Sequence, residues 1–495
     1  MGKLQSLLKD TAIYGLSSII GRFLNYLLVP LYTAKMSVES GNYGIVTNVY
    51  AWTAILLVLL TFGFETTFFR FASKENSDIK KVFSMSMQVI GALSGVFLLL
   101  VFMFLPAISD TLGYATNPEF IGMMAVVVAL DALQAIPFGL LRLQKRPLKF
   151  AALKLLFIGM NIAMNLFAFV ALPYLAAEMP DTFARFYDQN NQAFYVFFIN
   201  LLCTSSITFF FIPELKMFRF TADRQLLKSM LSYSWPLLLL GIAGILNLNA
   251  DKIIYTWLVP GKQGIVDLSI YGASVKVAAI MAMLMQAFRY AYEPFVFGNS
   301  KEKGSKKLYA DAMKYFIVIA MIAFLCVVFY IDILRYIISP NYWDGLKVVP
   351  IVMAAEIFMG IYFNLSFWYK LNDETYWGAI FSFIGCAVLF AINILLVPKY
   401  GYIACAWASF AGYFTAMTLS YFIGQKRNAI DYDMKSIFIY TLLFAVIYGV
   451  SQVIPVENSI AKMAINTVLL TLFVAYFIKK DLPLKSIPVI GKFFK

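Results

Sequence analysis

Apolar runs long enough to cross a hydrocarbon core recur along the whole chain. They lie at approximately 11–33, 44–69, 80–105, 118–141, 150–173, 191–212, 230–257, 265–297, 308–330, 345–369, 375–397, 401–424, 435–454 and 460–478. Each can cover a core of about 30 Å at about 1.5 Å per residue. The pattern predicts an all-α polytopic membrane protein with 14 transmembrane helices. The connections are short. The longest, around 176–190, leaves no room for a folded domain. The first run follows "MGKLQSLLKD", is too long for a signal-peptide core and shows no small-residue cleavage site after it, so it reads as a retained first span.

Composition agrees with the pattern. The 495 residues are 61% hydrophobic and only 14% charged, against about 25% charged in soluble domains. Mean hydropathy is +0.77. The formal charge of +13 is compatible with nucleic-acid binding, but its distribution argues otherwise. Assigned to alternate sides of the predicted spans, 27 Lys and Arg fall on one side and 7 on the other (Lys35, Arg185, Lys262, Arg335, Lys347, Lys399 and Lys462). The positive-inside rule then makes both termini cytoplasmic, which requires an even number of spans in a cytoplasmic (inner) membrane. No nucleic-acid partner is expected.

Several classes of chemistry find no support. The chain has no histidine, and its four cysteines sit singly within apolar runs, where they read as packing residues. No P-loop occurs, and neither a metal nor another cofactor is expected. "DYD" at Asp431–Asp433 resembles a metal-binding DxD but lacks a domain around it. Asn364-Leu365-Ser366 is a glycosylation sequon inside a span. "GALSG" (Gly91–Gly95) has the spacing that favours close helix packing.

Short matches recur at a slowly drifting offset. Tyr43-Gly44 and Glu65 return as Tyr271-Gly272 and Glu293 after 228 residues, and Lys74-Glu75 as Lys301-Glu302 after 227. "FIG" at 157–159 returns after 226. Pro173 and Asp131 return as Pro398 and Glu356 after 225. This predicts two six-helix bundles in parallel repeat around a central cavity, plus two extra C-terminal helices. The expected boundaries are 1–220 for the first lobe, 221–428 for the second, and 429–495 for the added pair and tail.

Charges inside the spans mark the candidate site, because an unpaired charge at mid-depth costs at least about 2.5–3.5 kcal/mol. Arg22 lies midway along the first span, on one helical stripe with Ser18, Asn25 and Tyr32. It either pairs with an acidic neighbour or faces water. Asp251 and Lys252 fall in the outer half of the seventh span, as an interfacial ion pair or as part of a gate. The eighth carries Lys276, then Arg289 and Glu293 at i, i+4 spacing. Asp131 and Glu356 occupy matching places and suit charge neutralisation or proton transfer. Lys154, Asn161 and Asn165 share a face of the fifth span. Glu65 and Glu293 each close an apolar run just before a basic loop, as gate pairs or as interfacial carboxylates. The cations line both halves and suit an anionic cargo, since arginine grips phosphate with two parallel hydrogen bonds.

"TAIYGLSSIIGRFLNYLLVPLYTAKMSVESGNYGIV" (Thr11–Val46) resembles the first-span signature of the Wzx-type polysaccharide flippases. "ILNLNADKIIYTWLV" followed by "IYGASVKVA" resembles their seventh and eighth spans. That family belongs to the multidrug/oligosaccharidyl-lipid/polysaccharide exporter superfamily. The resemblance implies two six-helix bundles around a central cavity and translocation of polyprenyl-diphosphate-linked glycans for O-antigen or other lipopolysaccharide. It implies that Arg22, Lys252, Lys276 and Arg289 are substrate-binding cavity cations; the positions of Glu65, Asp131, Asp251, Glu293 and Glu356 suit gating or ion coupling. Membrane lipid, a polysaccharide polymerase and chain-length proteins are the expected partners. A lipid II flippase would share these features. A cation-coupled drug exporter usually has an acid in the first span, where this chain has Arg22. A membrane glycan polymerase or ligase needs a large charged outer loop that is missing here.

Overall fold

The computed structural model describes residues 24, 26–74, 77–299, 305–372, 374–455 and 458–481, with the side chains at 290, 291, 293–295, 297–299 and 305 left aside. Among the described residues there is no strand. The principal helices are α1 (Leu28–Lys35), α2 (Asn42–Thr61), α3 (Phe64–Ala72), α4 (Ile79–Met103), α5 (Pro118–Leu143), α6 (Pro147–Leu166), α7 (Gln192–Phe209), α8 (Arg224–Leu258) and α9 (Lys262–Asn299). They continue as α10 (Ser305–Phe329), α11 (Val349–Leu365), α12 (Tyr376–Tyr400), α13 (Tyr402–Arg427), α14 (Met434–Val453) and α15 (Ser459–Asp481). Thirteen candidate membrane spans result, and each coincides with an expected apolar run. The remaining run, 11–33, lies mostly outside the described residues, and α1 begins within its last turns.

The chain divides into two compact units. One comprises residues up to Ala273 together with Cys386–Ala408, the other Ser274–Gly385 and the chain from Ser409 onward. In the first unit, α2 packs against α5 and α8, and α4 against α5. Phe64, Phe68, Phe83, Ile90, Val128, Ile136 and Leu140 form its buried core. Lipid tails are as apolar as these side chains, so close van der Waals packing, rather than escape from water, selects this arrangement.

The second span is broken. Phe62 (φ 49°) and Gly63 (φ 70°) both adopt left-handed backbone and separate α2 from α3. Glycine suits the second position twice over. It takes positive φ without strain, and a Cβ there would lie 2.9 Å from Leu237 Cβ and 3.2 Å from Ser234 O. A break within a bilayer must satisfy its freed backbone groups. Here the Thr67 hydroxyl donates to Gly63 O at 3.1 Å and lies 2.6 Å from Ser234 Oγ. The break also begins a new helix, and Glu65 occupies its first turn, where the helix dipole favours a carboxylate.

The repeated Tyr-Gly pairs meet at one crossing in the first unit. Gly44 N–H donates to Ser269 Oγ at 2.7 Å. A Cβ on Gly44 would approach Ile265 O to 2.1 Å, and one on Gly272 would meet Thr47 Oγ1 at 2.5 Å. The close packing expected of GALSG is not seen: a Cβ on Gly91 would meet Leu133 at 3.9 Å, and nothing described lies within 4 Å of one on Gly95. Gly91 thus makes only an ordinary side-chain contact, and Gly95 faces open space among the described residues.

In the second unit α10 packs against α11, α14 and α15. Buried Lys314 of α10 sits 2.8 Å from Asp481 and 3.5 Å from Asp433, and Tyr440 of α14 donates to Asp481. This ion cluster ties the last two helices to α10.

Gly44→Ala is expected to cost about 1–3 kcal/mol through overpacking against backbone, whereas Gly95→Ala leaves stability unchanged. Thermal unfolding of the detergent-solubilised variants checks this, and an equal response of the two would contradict the crossing.

Candidate functional site

The first unit encloses a cavity of about 500 Å³ between α2, α3, α5, α6 and α7. Four ionisable side chains line it: Glu65 of α3, Asp131 and Arg142 of α5, and Lys154 of α6. The sequence explains how they meet. Asp131, Gln134, Phe138 and Arg142 follow i, i+3, i+7, i+11 spacing, which places them on one face of α5. Glu65 reaches that face because the Phe62–Gly63 break starts a new helix beside it.

Arg142 forms an ion pair with Glu65, and its guanidinium lies 4.9 Å from the centre of the Phe69 ring. Its Nε is buried without a hydrogen-bond partner among the described residues. Lys154 Nζ sits 4.1 Å from the Phe138 ring centre. The Asp131 carboxylate is 3.5 Å from the Thr204 hydroxyl, and Gln134 is held by Thr204 O and Thr208 Oγ1 at 2.9 and 2.8 Å. Two acids and two bases cancel formally. The cavity is therefore bipolar, with none of Lys252, Lys276 and Arg289 in its lining. An arginine paired to a carboxylate, with an unused donor edge, can exchange that carboxylate for an incoming anion.

Beside this cavity, two polar faces expected from sequence meet. Tyr32 hydroxyl donates to Asn165 Oδ1 at 2.8 Å, and Asn165 in turn donates to Asn161 O at 2.8 Å. This joins the stripe of the first span to the face containing Lys154. Arg22 and Asn25 of that stripe lie outside the described residues.

Asp251 and Lys252 form a second cluster in the first unit. The Lys252 ammonium is 3.0 Å from Asp251 Oδ1 and donates to Leu248 O at 2.9 Å. Tyr271 hydroxyl donates to Asp251 Oδ2 at 2.5 Å. Lys252 is thus neutralised by its own neighbour. Asn48 anchors the turn by donating to Lys252 O at 2.7 Å and accepting from Tyr114 at 2.8 Å.

The second unit holds the other expected residues. Lys276 is exposed on α9 and Glu356 half-buried on α11. Arg289 is exposed, 4.2 Å from the Phe363 ring centre, and Lys370 shares that ring at 4.6 Å. The side chain of Glu293 lies outside the described residues, and so does its expected pairing with Arg289. The structure thus brings together Glu65 and Asp131, and separately Asp251 and Lys252. Arg142 was missed as a site residue because its place in the last turn of α5 made it one more cation of a basic loop. Its eleven-residue spacing from Asp131 carried the signal.

These features define a polytopic helical membrane protein. A structure titled "Lipid II flippase MurJ, inward closed conformation" matches with a TM-score of 0.71 and 14% identity over 94% of this chain and 98% of that one. An inward-facing multidrug resistance MATE family transporter of the MOP superfamily matches with a TM-score of 0.60 and 13% identity over 82% and 94%. A MATE complex with MaD5 reaches 0.54 at 13% identity over 85% and 95%. The family described as "Polysaccharide biosynthesis protein" matches residues 7–291, more than half of the chain, and the protein belongs to that family. No curated protein matches significantly. The resemblance expected from the first, seventh and eighth spans agrees with the family and the fold.

Glu65→Gln and Arg142→Gln should each lower the unfolding midpoint, and the double variant should lose less than the sum, with a coupling of about 0.2–1 kcal/mol. Strictly additive losses in detergent would contradict the pair.

Proposed function

We propose that this protein translocates polyprenyl-diphosphate-linked oligosaccharide repeat units across the cytoplasmic membrane by alternating access, supplying O-antigen or another surface polysaccharide. The observation that carries the reading is the bipolar cavity with the unpartnered edge of Arg142. Membership of the polysaccharide biosynthesis family supports the substrate class. The protein acts as a carrier, without bond-making chemistry.

In this reading the diphosphate draws Arg142 away from Glu65, and Lys154 adds a second positive charge. The released Glu65, with Asp131, then takes up a cation or a proton, which couples substrate binding to charge balance. The sugars stay in the aqueous cavity and the polyprenyl tail in lipid. Arg22, Lys276 and Arg289 are the further substrate-binding cations of this reading. Lys252 joins it only on leaving Asp251, so that pair, like Glu293 and Glu356, serves gating. Both termini are cytoplasmic, and a polymerase with its chain-length proteins takes the delivered unit. The divisions at 220 and 428 mark the two lobes and the added helices.

A second reading is translocation of the peptidoglycan precursor lipid II. The fold likeness to MurJ favours it, although 14% identity carries the fold alone.

Expressed in place of the native gene, Arg142→Ala, Arg22→Ala and Arg289→Ala should each abolish surface glycan while lipid-linked repeat units accumulate inside. Normal export from all three would sink the proposal. Cell lysis with accumulated lipid II would transfer the protein to the second reading.

A further inference from the structure

Asn364, the asparagine of the sequon that falls inside a span, lies in the last turn of α11 and is only 5% exposed. Both of its amide atoms, Oδ1 and Nδ2, are buried without a hydrogen-bond partner among the described residues. A side-chain amide carries two donors and two acceptor lone pairs, and protein interiors seldom leave all of them unused. Asn364 lines a cavity of about 390 Å³ in the second unit, a volume within the range of small-molecule sites. The cavity sits among α9, the start of α10, the end of α11 and the segment between α13 and α14.

The rest of the lining narrows the class of ligand. It contains no acid, and its single charged residue, Lys306, repels a cation. That ammonium is exposed and already donates to Ala429 O at 3.0 Å, so it is a poor match for a phosphate group. The other lining groups are aromatic or amide. Tyr292 and Phe367 meet edge to face with ring centres 5.4 Å apart, and Tyr309, Trp368 and Tyr432 continue the aromatic wall. Exposed Asn372 and half-buried Asn428 add two amides at the rim, neither side chain hydrogen-bonded among the described residues. Aromatic faces beside amides suit a neutral ring with one apolar face and one polar edge. A pyranose sugar has both. Its C–H groups pack on aromatic rings, and a vicinal pair of hydroxyls, each donor and acceptor, complements the two unused atoms of one amide.

We propose that this cavity binds one neutral pyranose unit, with the Asn364 amide on a vicinal hydroxyl pair and the aromatic side chains on the ring. The site shares no lining residue with the bipolar cavity of the first unit, so it adds recognition of a sugar to the recognition of a diphosphate. Lys306 belongs to the lysine-rich side, from which the cargo is loaded in the proposed function. The glycan of that function supplies the sugar, so the site rests on that reading, but binding itself needs no transport.

The test uses full-length protein in nanodiscs and alkyl-diazirine glycosides of glucose, galactose and mannose, with labelled peptides mapped by mass spectrometry. The controls carry the same diazirine on a tetrahydropyran ring without hydroxyls and on glucuronic acid. At least one neutral glycoside should label peptides containing 306–313, 364–372 or 428–432, and its methyl glycoside should compete. The tetrahydropyran probe should not label them, and the glucuronide should label no better than the glucoside. Asn364→Leu removes both amide atoms at similar volume and should cut labelling about tenfold, as expected when two neutral hydrogen bonds are lost. Asn372→Ala/Asn428→Ala, on the rim, should also lower it and serves as the test if Asn364→Leu fails to give a monodisperse size-exclusion peak. The proposal is overturned if no neutral glycoside labels these peptides, if the tetrahydropyran probe labels them equally, if the glucuronide labels them better, or if both variants keep full labelling. Because labelling is read without transport, its failure leaves the translocation reading to the surface-glycan test of the arginine variants.

Discussion

The protein is governed by the cost of placing charge in hydrocarbon. In water a lysine or arginine needs no explanation. Within a span it needs a counter-charge, an aromatic face or a water-filled path. Three cations of the first unit meet this demand through a counter-charge or an aromatic face. Arg142 pairs with Glu65, Lys252 with Asp251, and Lys154 rests on the Phe138 ring. Each contributes little to overall stability: the part-exposed Arg142–Glu65 pair is worth about 0.2–1 kcal/mol, and the buried Lys252–Asp251 pair repays little more than its desolvation. They persist because the alternative, a lone charge facing lipid, is worse, and they leave groups that can change partner.

The same demand shapes the backbone. The Phe62–Gly63 break exposes a carbonyl at Gly63 that Thr67 satisfies, its hydroxyl held in turn by Ser234, and it makes Glu65 the start of a helix instead of the end of one. The pairing of Glu65 with Arg142 therefore depends on a glycine two residues earlier. Likewise, the Gly44 and Gly272 crossing is possible only because both lack a side chain where Ile265 O and Thr47 approach. Small residues do structural work here that apolar area cannot do in a lipid solvent.

The spans were legible because hydropathy reports a solvent, and every run within the described residues became a helix. The pairing Asp251–Lys252 was legible because its members are adjacent. Arg142 was not, because a residue in the last turn of a span looks like a loop cation until a bent neighbour brings Glu65 to it. Nor was the use of the two Tyr-Gly pairs at a single crossing, since repetition in sequence does not say that the copies touch. The GALSG spacing misled for the converse reason: a small-residue pattern permits close packing but does not create a partner. Arg335, Lys347 and Lys462 were read singly as sparse outer charge, and only folding sets them along one cavity.

The central claim is that the cavity recognises a lipid-linked glycan through its diphosphate. Reconstitution of the purified protein into liposomes tests this most directly, using one fluorescent glycan carried either on polyprenyl diphosphate or on an uncharged polyprenyl ether. The account predicts that only the diphosphate form crosses and that Arg142→Gln removes the difference. Equal transport of both lipids by the unaltered protein would contradict it.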